Sequence, residues 1–215
     1  MARLAYTRKA WSVFSSHCVG GLLICHGLHP VLFHWHEWQQ LKWKFKIPKD
    51  FRPSGSFTHL HQLKAQEGNN GSPVITITAR SNGNGSNRRI QIIHNGDTEE
   101  TTKGTIIDNL PLEDFEDEWI QVETEMHYTH NGSFSITLSR LSDGKRLVQR
   151  SFDDIDLWRK GAISIRNKFG IYRSFGKTLT DENDRPTNGI KDEHILLADF
   201  KVYEKNTNPD PQPHD

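Results

Sequence analysis

The stretch LKWKFKI, residues 41–47, alternates Trp43, Phe45 and Ile47 with Lys42, Lys44 and Lys46. A period of two gives the segment one apolar and one charged face, which suits a half-buried β-strand and not a helix. The same beat recurs along the chain. PVITITAR sets Ile75 and Ile77 against Thr76, Thr78 and Arg80, and RRIQIIHN follows after a Gly/Asn/Ser-rich turn. WIQVETEMHY alternates Ile120, Val122, Thr124, Met126 and Tyr128 with polar residues, and HNGS leads directly from it into FSITLSRL, a hairpin signature. KRLVQRSF, NKFGIYRS and HILLADFKVYE bring the count to about ten short strands. The one helix signal is a short turn around Asp154–Arg159. This pattern predicts an all-β protein, a sandwich of two antiparallel sheets in a concanavalin-like jelly roll.

One domain is expected over residues 41–204, followed by a disordered tail over 205–215 whose composition is that of NTNPDPQPHD. Residues 1–40 read differently. No acidic residue precedes Glu37, whereas both cysteines, five of the twelve histidines and three of the six tryptophans fall there. The apolar run from Val13 to Phe33 is interrupted by Ser15, Ser16, His17, His26, His29 and Pro30, which suits neither a secretory signal nor a membrane span. The expectation is an atypical leader, either a degenerate signal or a mispredicted exon. Cys18, Cys25, His26, His34 and His36 lack standard zinc spacing, so no metal site is expected from them.

The 27 basic and 27 acidic residues cancel, so the totals give no argument for a nucleic-acid partner. Attraction for an anion must come from local placement. With no cysteine after Cys25, no disulfide framework supports the main body. NGS sequons at Asn70, Asn84 and Asn131 would be glycosylation acceptors in a secreted chain, and they also arise by chance in Gly/Ser/Asn-rich turns.

Two strands carry candidate chemistry. In FTHLHQLK, residues 57–64, strict alternation places His59 and His61 on one face, either a polar outer surface or the lining of a groove. In RNKFGIYRS, residues 166–174, it places Arg166, Lys168, Gly170 and Tyr172 together, with Phe169 and Ile171 toward the core. Glycine within a strand can let a ligand approach the backbone, and an ordinary solvated strand face is the competing reading. If both strands line one groove, His59, His61, Lys168 and Tyr172 form the equipment for β-elimination on a uronic acid: cations to neutralise the carboxylate, a base and an acid. Glycoside hydrolysis would need two carboxyl groups flanking the bond. The acidic FEDEW, residues 115–119, offers no such pair on a groove strand.

FTHLHQLKA, GSPVITITAR, KFGIYRS and LLADFKVY, in that order, resemble the jelly-roll polysaccharide lyases, the group that includes heparin lyase I, glucuronan lyase and alginate lyases. The resemblance covers roughly residues 41–204. It implies cleavage of a uronic-acid polysaccharide by β-elimination, with His61 and Tyr172 catalytic and His59, Lys168, Arg166 and Arg80 binding substrate. Arg173 points away by strand parity and is not assigned. The partner implied is an acidic polysaccharide of the glucuronan, alginate or heparin type, with no nucleic acid and no membrane, acted on by an extracellular monomer. No cofactor is required, although family analogy allows a structural calcium involving Asp199. These lyases usually carry an early strand with an Arg-x-Glu or Arg-Gln-Arg motif, and none precedes Leu41. A non-catalytic carbohydrate-binding jelly roll with an incomplete site is the alternative.

Overall fold

A computed structural model describes residues 6–10, 14–18, 32–82, 85–174, 183 and 189–205. Thirteen strands are present among the described residues: β1 (Tyr6–Ala10), β2 (Phe14–Cys18), β3 (Leu32–Phe33), β4 (Trp38–Lys46), β5 (Thr58–Gln66), β6 (Ile75–Arg80), β7 (Arg89–His94), β8 (Gly104–Pro111), β9 (Trp119–His127), β10 (Gly132–Arg140), β11 (Arg146–Ile155), β12 (Ser164–Arg173) and β13 (Glu193–Lys205). They form two antiparallel sheets packed face to face. One sheet, of seven strands, runs β1-β13-β4-β9-β10-β11, with β2 also on β13. The other, of six, runs β3-β12-β5-β6-β7-β8. The jelly-roll sandwich read from the alternation is therefore the observed fold.

Two details differ from the sequence expectations. Residues within the stretch expected to be a leader pair as β1, β2 and β3, and β4 begins at Trp38. The Asp154–Arg159 turn is not helical: β11 runs through Asp154 to Ile155, and the described helical residues are the 3-10 turn Leu112–Asp114. Asp154 takes φ +51°, and Asp156 accepts hydrogen bonds from the Asp97 and Trp158 amides, so its carboxylate organises an open loop.

Packing follows from the period. In β4 and β9 every second residue is buried, which aims Trp43 and Phe45 from one strand and Ile120 and Val122 from the other at the facing sheet. Leu63, Ile75, Ile77, Ile90 and Ile165 meet them from the six-stranded sheet. Each such side chain contributes about 1.5–3 kcal/mol on burial. The β9–β10 turn closes so tightly that a Cβ at Gly132 would lie 2.2 Å from the His127 carbonyl oxygen, which reserves the position for glycine. Asn131 and Asn70 are exposed, while Asn84 lies outside the described residues. The FEDEW segment is structural: Phe115 is buried and Glu116 pairs with Arg88.

Candidate functional site

Strand β5 does not keep one phase. Thr58 and His59 pair with Ala79 and Thr78 of β6, and His61 pairs with Ile77, leaving Leu60 as an extra residue. Such a bulge turns the residues beyond it by one position, so the two histidines part. His61 faces inward with Leu63 and Ala65. Its ring stacks on Phe169 at 4.8 Å and meets Trp43 of the opposite sheet at 5.4 Å. Its Nε2–H donates to Asn167 Oδ1 at 2.8 Å. Burial lowers its pKa to about 4, partly opposed by the Asn167 hydrogen bond, so the ring is neutral near pH 7. The shared face expected for His59 and His61 is thus corrected: one extra residue puts His61 in the sandwich core.

His59 stays outside, at the floor of the face that the six-stranded sheet turns away from the core. Its cross-strand partner on β12 is Tyr172. Their ring centroids are 6.0 Å apart, and Phe57 stacks on His59 at 4.5 Å while also touching Tyr172. The tyrosine is 40% exposed, the histidine 9%. Burial, followed by the charges of Arg80 and Lys64, lowers the His59 pKa to about 4, which leaves a neutral imidazole able to accept a proton. A neutral base beside a phenol is the geometry that proton transfer needs.

The parity expected for β12 holds. Lys168, Gly170 and Tyr172 stand outside, while Phe169 and Ile171 point to the core. Gly170 has φ +118°, a conformation that side-chain-bearing residues rarely adopt, so the floor between Lys168 and Tyr172 is bare backbone. Lys168 is opposite Gln62, Arg166 opposite Lys64, and Thr78 separates His59 from Gln91. Arg80 shares the face and is opposite Arg89. Arg173 turns away, donating to the Lys191 carbonyl at 2.6 Å.

The resulting face is strongly cationic. Burial, then the neighbouring Arg166 and Lys64 charges, depresses the Lys168 pKa; burial, then Arg166 and Arg159, depresses that of Lys64. Asp108 touches this face, accepting from Gln91 Nε2 at 2.7 Å and lying 3.7 Å from Arg89. Its pKa is lowered by hydrogen bonds and these cations against the effect of burial, and it has no partner carboxylate of the kind glycoside hydrolysis uses. Sequence reasoning missed Gln62, Lys64, Arg89 and Gln91. A change of hydrophobic phase within THLHQLKA signals the first two: the positions with 0% exposure are Thr58 and Leu60, then Leu63 and Ala65.

Asp199 does not fit the cation suggested by family analogy. A hard cation needs several oxygens, whereas the Asp199 carboxylate is 2.6 Å from Lys44 Nζ. No cluster of three metal-ligating side chains occurs among the described residues. Of the early candidates, Cys25 and His26 lie outside them, as does the Cys18 side chain, while His34 forms an exposed contact with Glu37.

No protein-family model and no curated protein match this sequence. Among solved structures the chain is similar to an endo-β-1,4-glucuronan lyase from the fungus Trichoderma reesei, with TM-score 0.53, 11% identity, and coverage of 93% of this chain and 86% of that one. It is also similar to alginate lyase Aly36B, with TM-score 0.50, 10% identity, and coverage of 85% and 75%. A variant of that lyase in complex with alginate trisaccharide gives TM-score 0.51 at 10% identity, covering 82% and 73%. These neighbours are jelly-roll polysaccharide lyases, and at such identities the likeness is one of fold.

Proposed function

We propose that the chain is a polysaccharide lyase that cleaves a uronic-acid polymer by β-elimination. The observation that carries this reading is the Tyr172–His59 pair, set on the outward face of the six-stranded sheet among Lys64, Arg80, Arg166 and Lys168. Cations beside the sugar carboxylate make the proton on the neighbouring carbon acidic. His59, neutral near pH 7, accepts that proton. The freed electron pair forms the carbon–carbon double bond as the glycosidic carbon–oxygen bond breaks, and the Tyr172 hydroxyl protonates the leaving oxygen. Tyr172 acting as both base and acid is the variant of this scheme. The resemblance gave the histidine role to His61. With that ring turned into the core, the role passes to His59, and Lys168, Arg166 and Arg80 keep the binding roles.

The test is incubation with glucuronan, alginate, heparin and pectate while following the ultraviolet absorbance of the unsaturated product. A rise with at least one polymer is expected. Binding without any rise on all four supports the second reading, a non-catalytic acidic-polysaccharide binder. That alternative draws on the burial of His61. The lyase reading carries with it an extracellular monomer that needs no cofactor, nucleic acid or membrane. Fractionation of the source organism and light scattering of the purified chain check the location and the oligomeric state.

A further inference from the structure

Lys64 and Arg166 are Cα partners across β5 and β12, and Arg80 and Arg89 are Cα partners across β6 and β7. All four stand on the groove face. Like charges directly opposite one another destabilise a sheet, so neither pair is explained by folding alone. Asp108 relieves the second pair through Arg89. Among the described residues no carboxylate pairs with Lys64, Arg166 or Lys168, and the amine of Lys64 donates only to the Gly71 carbonyl, at 3.3 Å. Arg166 and Arg80 each hold a buried Nε without an acceptor. Unanswered guanidinium donors of this kind cost free energy until an acceptor arrives.

The pairs lie on opposite sides of the His59–Tyr172 pair. Lys64 follows His59 toward the β5–β6 turn, whereas Arg80 lies one residue past Ala79, the partner of Thr58, in the other direction. Measured along the strands, they are about 20 Å apart. That span exceeds one sugar.

We propose that the two cation pairs are separate anion subsites, one on each side of His59 and Tyr172, which engage charged groups on different sugars of one chain. This rests on the acidic-polysaccharide reading above and deepens it: the ligand is an oligomeric polyanion, and an isolated uronic acid fills only one subsite. Folding stability and ligand affinity are therefore opposed at Arg166 and Lys64.

The test uses the full chain carrying Tyr172→Phe, to stop turnover, with and without Arg166→Gln or Lys64→Gln. Titration calorimetry with glucuronan and alginate oligosaccharides, with free glucuronic acid and with a neutral β-glucan reads affinity, and thermal melts without ligand read stability. Removing one charge raises Tm by about 1–3 °C and weakens oligosaccharide binding about tenfold, with free glucuronic acid binding far more weakly than oligomers throughout. Unchanged oligomer affinity, a lowered Tm in both variants, or free glucuronic acid binding as tightly as oligomers overturns the inference while leaving the groove reading intact. Failure of the parent to bind any uronan overturns that reading itself.

Discussion

The outward faces of the two sheets carry similar residues and handle charge in opposite ways. On the seven-stranded sheet Lys42 lies between Lys201 and Glu123 and meets the Glu123 carboxylate at 2.7 Å, while Lys44 meets Asp199 at 2.6 Å. On the six-stranded sheet lysine faces arginine and arginine faces arginine. On the first face carboxylates of the chain itself answer Lys42 and Lys44. On the second, Asp108 reaches only Arg89, and the proposed answer to the rest is a bound anion. Two sheets cut from one sandwich thus divide the work, one serving as a balanced outer wall and the other as a charged floor.

The sharpest probe of this division is Tyr172→Phe, which removes the hydroxyl proposed as proton donor from the charged floor without removing a buried group. Elimination should fall by about 10²–10⁴-fold with an unchanged circular dichroism spectrum. Retained activity would move the acid role elsewhere. Trp43→Ala acts instead on what joins the sheets, because this indole reaches from β4 to touch His61 and Phe169. It should cost about 3–5 kcal/mol in urea unfolding, and a cost below 1 kcal/mol would mean that the sheets are held together elsewhere.

Acid distinguishes the faces further. His59 and His61 have folded pKa values of about 4, below the unfolded value of 6.5, so the unfolded chain binds more protons between these limits. The stability contributed by keeping these rings neutral is present above pH 6.5 and is lost as pH falls toward 4. Melting temperatures across that window should fall, and His61→Leu should flatten the slope. A slope unaltered by both His61→Leu and His59→Gln would place the acid sensitivity outside this sheet. The smallest effect is expected on the balanced wall: Lys42→Gln should lower stability by about 0.2–1 kcal/mol, the opposite sign to Arg166→Gln. A rise in Tm with both would erase the contrast between the faces.

Much of this was legible in the residues. Alternation in LKWKFKI and WIQVETEMHY predicts β4 and β9 because those strands are regular and half buried along their length. Lys168, Gly170 and Tyr172 keep their expected parity although the pairing of β12 with β5 shifts register between Phe169 and Tyr172. The β5 histidines do not, because alternation assumes an unbroken strand and THLHQLK changes phase at Leu60. The apolar pattern carries that change, but weakly, since histidine and threonine are at home on either face. The like-charge partners were invisible for a different reason: register between strands distant in sequence is set by packing and turns, and no single strand contains it.

The extra residue at Leu60 also sets what insertions and deletions the protein can bear. In an unbroken strand, positions 59 and 64 fall on opposite faces, so His59 and Lys64 could not both reach the groove. Without Leu60, and so one residue shorter, the strand would alternate unbroken, with His59 and Lys64 still on the outward face and Leu63 and Ala65 still in the core. A deletion at the bulge therefore removes one buried leucine and leaves the two faces of the strand as they are.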